Sequence, residues 1–150
     1  MSSIYGSAEV GRKNMALGIA LIAVMGFVMG IPLTINFFGG SALTGEQYVA
    51  WKVVHGYGIF LGFINYFFGL LIDRVNLTRR QKELTSWCFV LAGIVGGFGR
   101  MTLLLMGALD QFGVFASLGE VAFFVVGTAV FVLGQLRTGR LASSAETVAL

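Results

Sequence analysis

The 150-residue chain is 57% hydrophobic and 11% charged, and it carries a net charge of +3. A mean hydropathy of +0.87 excludes an ordinary soluble domain, because most of the surface must lie against lipid. The only cysteine, Cys88, excludes an intrachain disulfide and a zinc site built from cysteines.

Four apolar stretches follow one another, at about residues 15–38, 48–72, 84–109 and 112–136. Each reaches the ~20 residues with which a helix crosses a bilayer. The first is too long for the apolar part of a signal peptide, and Pro32 and Asn36 lie at its far end, so we expect a permanent span. The sequence therefore predicts an all-α fold, an integral membrane four-helix bundle that forms a single domain over residues 1–150.

Basic residues gather at one end of the predicted spans. They precede the first span, connect the second to the third, and follow the fourth, as Arg12, Lys13, Arg74, Arg79, Arg80, Lys82, Arg137 and Arg140. The opposite loops carry Glu46 and Asp110. By the positive-inside rule, both termini are predicted to be cytoplasmic, in an inner membrane of bacterial type. This topology accounts for the positive charge, so no nucleic-acid partner is expected.

Three ionisable side chains, His55, Arg100 and Glu120, lie inside the predicted spans. From the rise of a helix, all three lie roughly 10 to 15 Å below the non-cytoplasmic end, and Tyr57 has a similar depth. Ionisable groups in lipid are costly and usually face the bundle interior or a cavity. Arg100 and Glu120 either form a buried ion pair or meet a ligand, and the sequence leaves both alternatives open.

A stripe of small residues runs along the second span beside the histidine. At about 100° per residue, His55 shares one face with Gly58, Gly62, Asn65 and Gly69. The stripe is either a helix-packing seam or a flat wall beside a ligand. The histidine itself binds a metal or haem iron, relays protons, or makes one local hydrogen bond.

The segment WKVVHGYGIFLG, from Trp51 to Gly62, resembles the small four-helix membrane isomerases that include styrene oxide isomerase and hydroxylaminobenzene mutase. The resemblance covers roughly residues 15–136 and rests on length, topology and a histidine followed seven positions later by glycine. The family usually has asparagine before that glycine, where this chain has Leu61. Asn65, one turn further along, is the candidate substitute for orienting the substrate.

The resemblance implies a homotrimer that holds haem b at its subunit interfaces, with His55 as the axial ligand of ferric iron. Gly58 and Gly62 would then form the flat surface beside the cofactor. The iron would act as a Lewis acid on an aryl epoxide, and a 1,2-hydride shift would give the aldehyde. The substrate, a small apolar aromatic molecule, would enter from the lipid bilayer. The candidate catalytic residues are Asn65, Arg100, Tyr57 and Glu120.

Three other functions stay open at this point. A mutase of the same fold would rearrange hydroxylaminoarenes to aminophenols. A small transporter or proton relay would use His55, Arg100 and Glu120 as a polar path. A non-catalytic membrane subunit would dock partner helices on its glycine faces.

Overall fold

The computed structural model describes residues 9–148, with side chains as far as Arg137. It contains four long helices: α1 Arg12–Phe37, α2 Gly45–Arg74, α3 Arg79–Leu105 and α4 Leu109–Val148. All four are long and apolar enough to cross a membrane, α4 over Leu109–Arg137, and no strand occurs within residues 9–148. The predicted all-α fold is confirmed, and each of the four predicted spans is a helix long and apolar enough to cross a membrane. The ends of the predicted domain and the side chain of Arg140 lie outside the described residues.

The outer surface of the helices is apolar. Large side chains such as Phe27, Phe60, Trp87 and Phe115 are more than half exposed, one on each helix. A soluble protein rarely exposes so much contiguous apolar surface, because water would drive it to associate. Lipid is therefore the environment that this surface fits.

Two polar motifs set the beginnings of α2 and α3. Thr44 and Thr78 each form a capping box, in which the threonine hydroxyl accepts a hydrogen bond from the backbone N–H of a glutamine three residues further on. α3 therefore begins at Arg79, where hydropathy predicted residue 84, and it ends at Leu105 instead of residue 109. Gly107, with a φ of +68°, then makes the tight turn into α4.

Short π-helical segments interrupt two of the helices, Val24–Met29 in α1 and Ile94–Gly99 in α3. Such a segment contains one extra residue, so a backbone carbonyl loses its usual helical N–H partner. π-Helical segments occur frequently at functional sites. The one in α3 directly precedes Arg100, and the one in α1 contacts His55 through Met25.

The helices pack around α2 and α3. α1 packs along α2 and also touches α3, whereas α4 packs mainly on α3. A Cβ atom placed on Gly18 of α1 would lie 2.6 Å from the carbonyl oxygen of Gly62 on α2, so only glycine allows these backbones to meet. The position of α4 at the edge of the bundle leaves a pocket between α2 and α4.

Asp73, at the end of α2, holds the beginning of α1. Its carboxylate accepts hydrogen bonds of 3.0–3.2 Å from the backbone N–H groups of Val10 and Gly11. Both residues lie just before the first turn of α1, and the beginning of a helix favours a negative charge nearby. This contact joins the first two spans at the end of the bundle where α1 begins and α2 ends, which we call the basic end.

Asp73→Ala is expected to destabilise the protein by about 1.5–3 kcal/mol, the usual contribution of hydrogen bonds to a charged group. Hydrogen exchange at the amides of Val10 and Gly11 should become faster, because both lose their acceptor. Thermal unfolding in detergent and exchange mass spectrometry measure the two effects. Asp73→Asn keeps an acceptor and should retain most of the protection. Unchanged exchange in Asp73→Ala would show that the carboxylate does not hold α1.

Candidate functional site

The structure divides the predicted site residues between two faces of α2. His55 contacts α1, whereas Tyr57 contacts α3 and α4. Side chains two positions apart on a helix point about 200° apart. The ionisable residues His55, Arg100 and Glu120 share a level in the bundle, but within one chain they do not share a site. We call the two places the histidine groove and the acid pocket.

His55 is half-buried beside the π-helical segment of α1. Its Nδ1 lies 2.7 Å from the carbonyl oxygen of Met25. Because a carbonyl only accepts, Nδ1 carries the proton and Nε2 keeps its lone pair in the neutral ring. Trp51, one turn earlier, donates from Nε1 to the carbonyl oxygen of Met29 at 2.7 Å. Both carbonyls belong to the same π-helical segment, which therefore orients the histidine.

The histidine groove lies between α1 and α2, towards the end of the bundle opposite the basic end. It has a volume of about 530 Å³ and is lined by His55, Lys52, two glycines of α1 and several apolar side chains. A Cβ atom on Gly26 would meet nothing within 4 Å, and one on Gly30 would lie 3.4 Å from the imidazole ring. The surface of α1 beside His55 therefore carries no side chains.

Gly58 and Gly62 do not line this groove. A Cβ atom on Gly58 would lie 2.5 Å from the Met25 side chain, and one on Gly62 would lie 2.7 Å from Ile22 and 3.0 Å from the carbonyl oxygen of Gly18. α1 occupies the space beside these two glycines, so within one chain no room is left there for the predicted planar cofactor. Their stripe is the packing seam between α1 and α2.

Tyr57, Arg100 and Glu120 form one polar cluster, as their common depth suggested. The Tyr57 hydroxyl donates to Oε1 of Glu120, and Nη2 of Arg100 lies 3.1 Å from Oε2 of the same carboxylate. Arg100 also lies over the Tyr57 ring, with its guanidinium carbon 4.4 Å from the ring centre. Ser117, which accepts from Nη2 of Arg100 at 2.9 Å, was not predicted. Ser117 lies three residues before Glu120, about one turn earlier on the same face of α4, and this spacing could have predicted its place in the cluster.

Glu120 is buried, with 3% of its surface exposed. Of the two open alternatives for Arg100 and Glu120, the structure forms the ion pair. No N–H of Arg100 is aligned with Oε2, however, so this oxygen has no hydrogen bond. The π-helical segment of α3 makes room for it, because a Cβ atom on Gly96 would lie 2.6 Å from Oε2. The Glu120 carboxylate is thus closely packed, and one of its two oxygens accepts no hydrogen bond.

The acid pocket opens beside this cluster, between α2 and α4, with a volume of about 200 Å³. Tyr57 and Glu120 are its polar walls. Phe60, Val121 and Val125 form its rim and are more than half exposed, so the pocket opens towards the lipid. Its inner wall consists of Leu61, Ile64 and Phe124.

Asn65 belongs to a separate polar cluster, nearer the basic end. Its Oδ1 accepts from Nδ2 of Asn14 at 3.2 Å, and its Nδ2 donates to the carbonyl oxygen of Leu61 at 3.1 Å. Ser86 of α3 donates to Asn14, and these three polar side chains are at most 1% exposed. Asn65 lines neither the histidine groove nor the acid pocket. Its contacts join α1, α2 and α3, which is a structural role, and the predicted catalytic role stays a prediction.

Within the described part of the chain, no group of three or more histidine, cysteine, aspartate or glutamate side chains is placed to hold a metal ion. A haem with one axial histidine does not require such a group. No protein-family model, no curated protein and no solved structure matches the chain. The family resemblance of the segment around His55 therefore stays a prediction.

Proposed function

We propose that this chain is a membrane isomerase that binds haem b through His55. The hydrogen bond from Nδ1 of His55 to the carbonyl oxygen of Met25 carries the proposal. Metal-binding histidines usually donate their other ring N–H in this way, which fixes the ring and leaves the second nitrogen for the metal. The resemblance of the segment from Trp51 to Gly62 motivates the choice of haem b and of epoxide chemistry.

The residues of the histidine groove fit a flat group with one axial ligand. Gly26 and Gly30 keep side chains away from the surface beside His55. Lys52 lines the same groove and would supply a cation for a carboxylate of the cofactor. When bound, ferric haem would supply Lewis-acid chemistry towards the oxygen of an aryl epoxide.

The apolar side chains of the groove would bind an apolar reactant. Leu33, Phe37 and Phe38 give it apolar walls, which suit an aryl substrate that arrives through the bilayer. Apolar surroundings and lipid would also protect a reactive epoxide from hydrolysis. Isomerisation without net addition of water is the outcome that such a site favours.

We further propose a homo-oligomer, a trimer by resemblance. Tyr57 and Glu120 lie on the other face of α2, so they reach a molecule in the histidine groove only when a neighbouring copy presents them. Contacts between unlike faces, repeated around an axis, close into a ring. This arrangement would place the predicted catalytic residues Tyr57, Arg100 and Glu120 beside the cofactor of the next subunit.

The proposed orientation follows from charge. Arg12, Arg74 and Arg79 lie at the basic end of the bundle, and basic residues at span ends favour the cytoplasmic side. With four spans, both termini would face the cytoplasm, in an inner membrane of bacterial type. An inverted topology in a cysteine-accessibility assay would contradict this orientation.

His55→Ala is expected to abolish the Soret band of protein expressed with added haem, because the iron loses its protein ligand. Trp51→Phe is the matched control, since it removes a bond to the same π-helical segment and leaves the ligand in place. Absorbance spectra of the purified variants measure the effect. An equal band in His55→Ala and wild type would overturn the cofactor proposal. Assays of an aryl epoxide beside a hydroxylaminoarene then separate isomerase from mutase activity.

A further inference from the structure

We infer that the acid pocket binds a small, neutral aromatic molecule that carries a hydroxyl or N–H donor and enters from the bilayer. The pocket lies on the face of α2 away from His55, and none of its residues needs a cofactor to form it. The inference concerns the pocket of a single subunit and does not rest on the proposed haem chemistry, although the ring of subunits proposed above would place this pocket at a subunit interface.

The polar wall of the acid pocket offers an acceptor. The hydroxyl hydrogen of Tyr57 is used by Glu120, so the Tyr57 oxygen is left with lone pairs. Oε2 of Glu120 is buried against Gly96 of α3 and is paired with Arg100. The acceptor left for a ligand is therefore the oxygen of Tyr57, which lines the pocket. Arg100, whose N–H groups would recognise an acceptor, is not among the residues that line the pocket. A ligand that donates a hydrogen bond fits this wall, and a ligand that only accepts does not.

The charge of the cluster favours a neutral ligand. The Glu120 carboxylate is paired with Arg100 at 3.1 Å, so the two ions together carry no net charge. An organic cation would lose its hydration on entering the bundle and would find no unpaired anion to compensate for it. A neutral donor loses much less hydration and gains one hydrogen bond.

The size of the pocket and its aromatic walls favour a ligand with a single aromatic ring. A volume of about 200 Å³ lies below the roughly 300 Å³ at which pockets for drug-sized ligands begin. Phe60 and Phe124 provide aromatic surface against which a ring packs. Phe60, Val121 and Val125 lie at the lipid-exposed rim, so a molecule dissolved in the bilayer reaches the pocket without crossing water.

Photolabelling in lipid nanodiscs tests this inference. The probe is a phenol that bears a trifluoromethyl diazirine, and its control is the matching anisole, in which a methyl ether replaces the donor. The phenol is expected to label the segments of α2 and α4 around Phe60 and Val125 about fivefold more than the anisole, the equivalent of one net hydrogen bond. Equal labelling by the two probes would overturn the inference.

Two variants on the lipid face of α4 locate the site. Val121→Phe fills the pocket from its exposed rim and is expected to abolish the preference for the phenol. Val132→Phe makes the same change at an exposed position outside the pocket and should keep the preference. Neither valine is part of the core, so both variants should fold, which the melting temperature checks. A preference that survives in Val121→Phe would overturn the inference. The preference should also persist in His55→Ala, which separates it from the haem proposal.

Discussion

Arg100→Ala is expected to destabilise the folded protein by about 3–5 kcal/mol, the usual cost of removing one partner from a buried ion pair. Glu120 is 3% exposed and would be left with no cation beside it. Arg100 also contacts Ser117 and the Tyr57 ring, so the substitution removes these contacts as well. Equilibrium unfolding in mixed micelles measures the effect.

Two comparisons show whether burial is the cause. Lys13→Ala removes the cation of the pair Lys13–Glu83, whose side chains are 28% and 40% exposed, and should cost less than about 1 kcal/mol. The double variant Arg100→Met, Glu120→Leu should recover much of the loss, because no unpaired charge remains in the bundle. If the double variant is as unstable as the sum of the single changes, burial of an unpaired charge is not the explanation.

Gly18→Ala is expected to destabilise the protein by about 1–3 kcal/mol through overpacking of the seam between α1 and α2. The new Cβ atom would lie 2.6 Å from the carbonyl oxygen of Gly62 and 2.7 Å from the backbone nitrogen of Tyr66. Backbone atoms cannot move away by a change of rotamer, as a flexible side chain can. The new methyl group would therefore force α1 and α2 apart. The same unfolding measurement gives the loss.

Gly56→Ala is the matched control for the seam. It places the same methyl group on a helix position where no atom lies within 4 Å. Alanine also favours the helix over glycine by about 1 kcal/mol, so this variant should be neutral or more stable. A similar loss of stability in Gly18→Ala and Gly56→Ala would show that close backbone approach does not explain the seam.

The spans of this fold could be predicted because lipid leaves the backbone no polar partner outside the helix itself. Any apolar stretch of sufficient length must then be helical, and hydropathy finds it. The helix ends were harder to locate, because they depend on polar caps at Thr44 and Thr78 instead of on hydropathy.

For the candidate site, the depth of each side chain in the membrane could be predicted. The direction in which each side chain points could be predicted only in part. The common level of His55, Arg100 and Glu120 follows from helix rise alone. The opposite directions of His55 and Tyr57 also follow from their spacing, but which helix each one meets does not. The neighbours of α2 are set by the packing of the whole bundle, and the glycine stripe of Gly58 and Gly62 turned out to face α1.

The polar cluster at the basic end was missed for a different reason. Asn14 and Ser86 lie at the beginnings of the first and third spans, where hydropathy suggests membrane-surface flanks. Through capping and loop contacts, α1 and α3 begin earlier in the chain. Both polar side chains are buried, and Asn14 donates to Asn65 while Ser86 donates to Asn14. Nothing in the sequence marks the π-helical segments, which orient His55 and make room for Glu120.

The π-helical segments also set the rotational phase of their helices. One extra residue turns everything beyond it by about 100° relative to an uninterrupted α-helix. In α1 the segment Val24–Met29 lies between Gly18, which packs on α2, and Gly30, which lies beside His55. Deleting one residue there would hardly change hydropathy, yet it would rotate Gly30 away from the histidine. In chains of this kind, the exact length of a span therefore carries geometric information that its apolar composition does not.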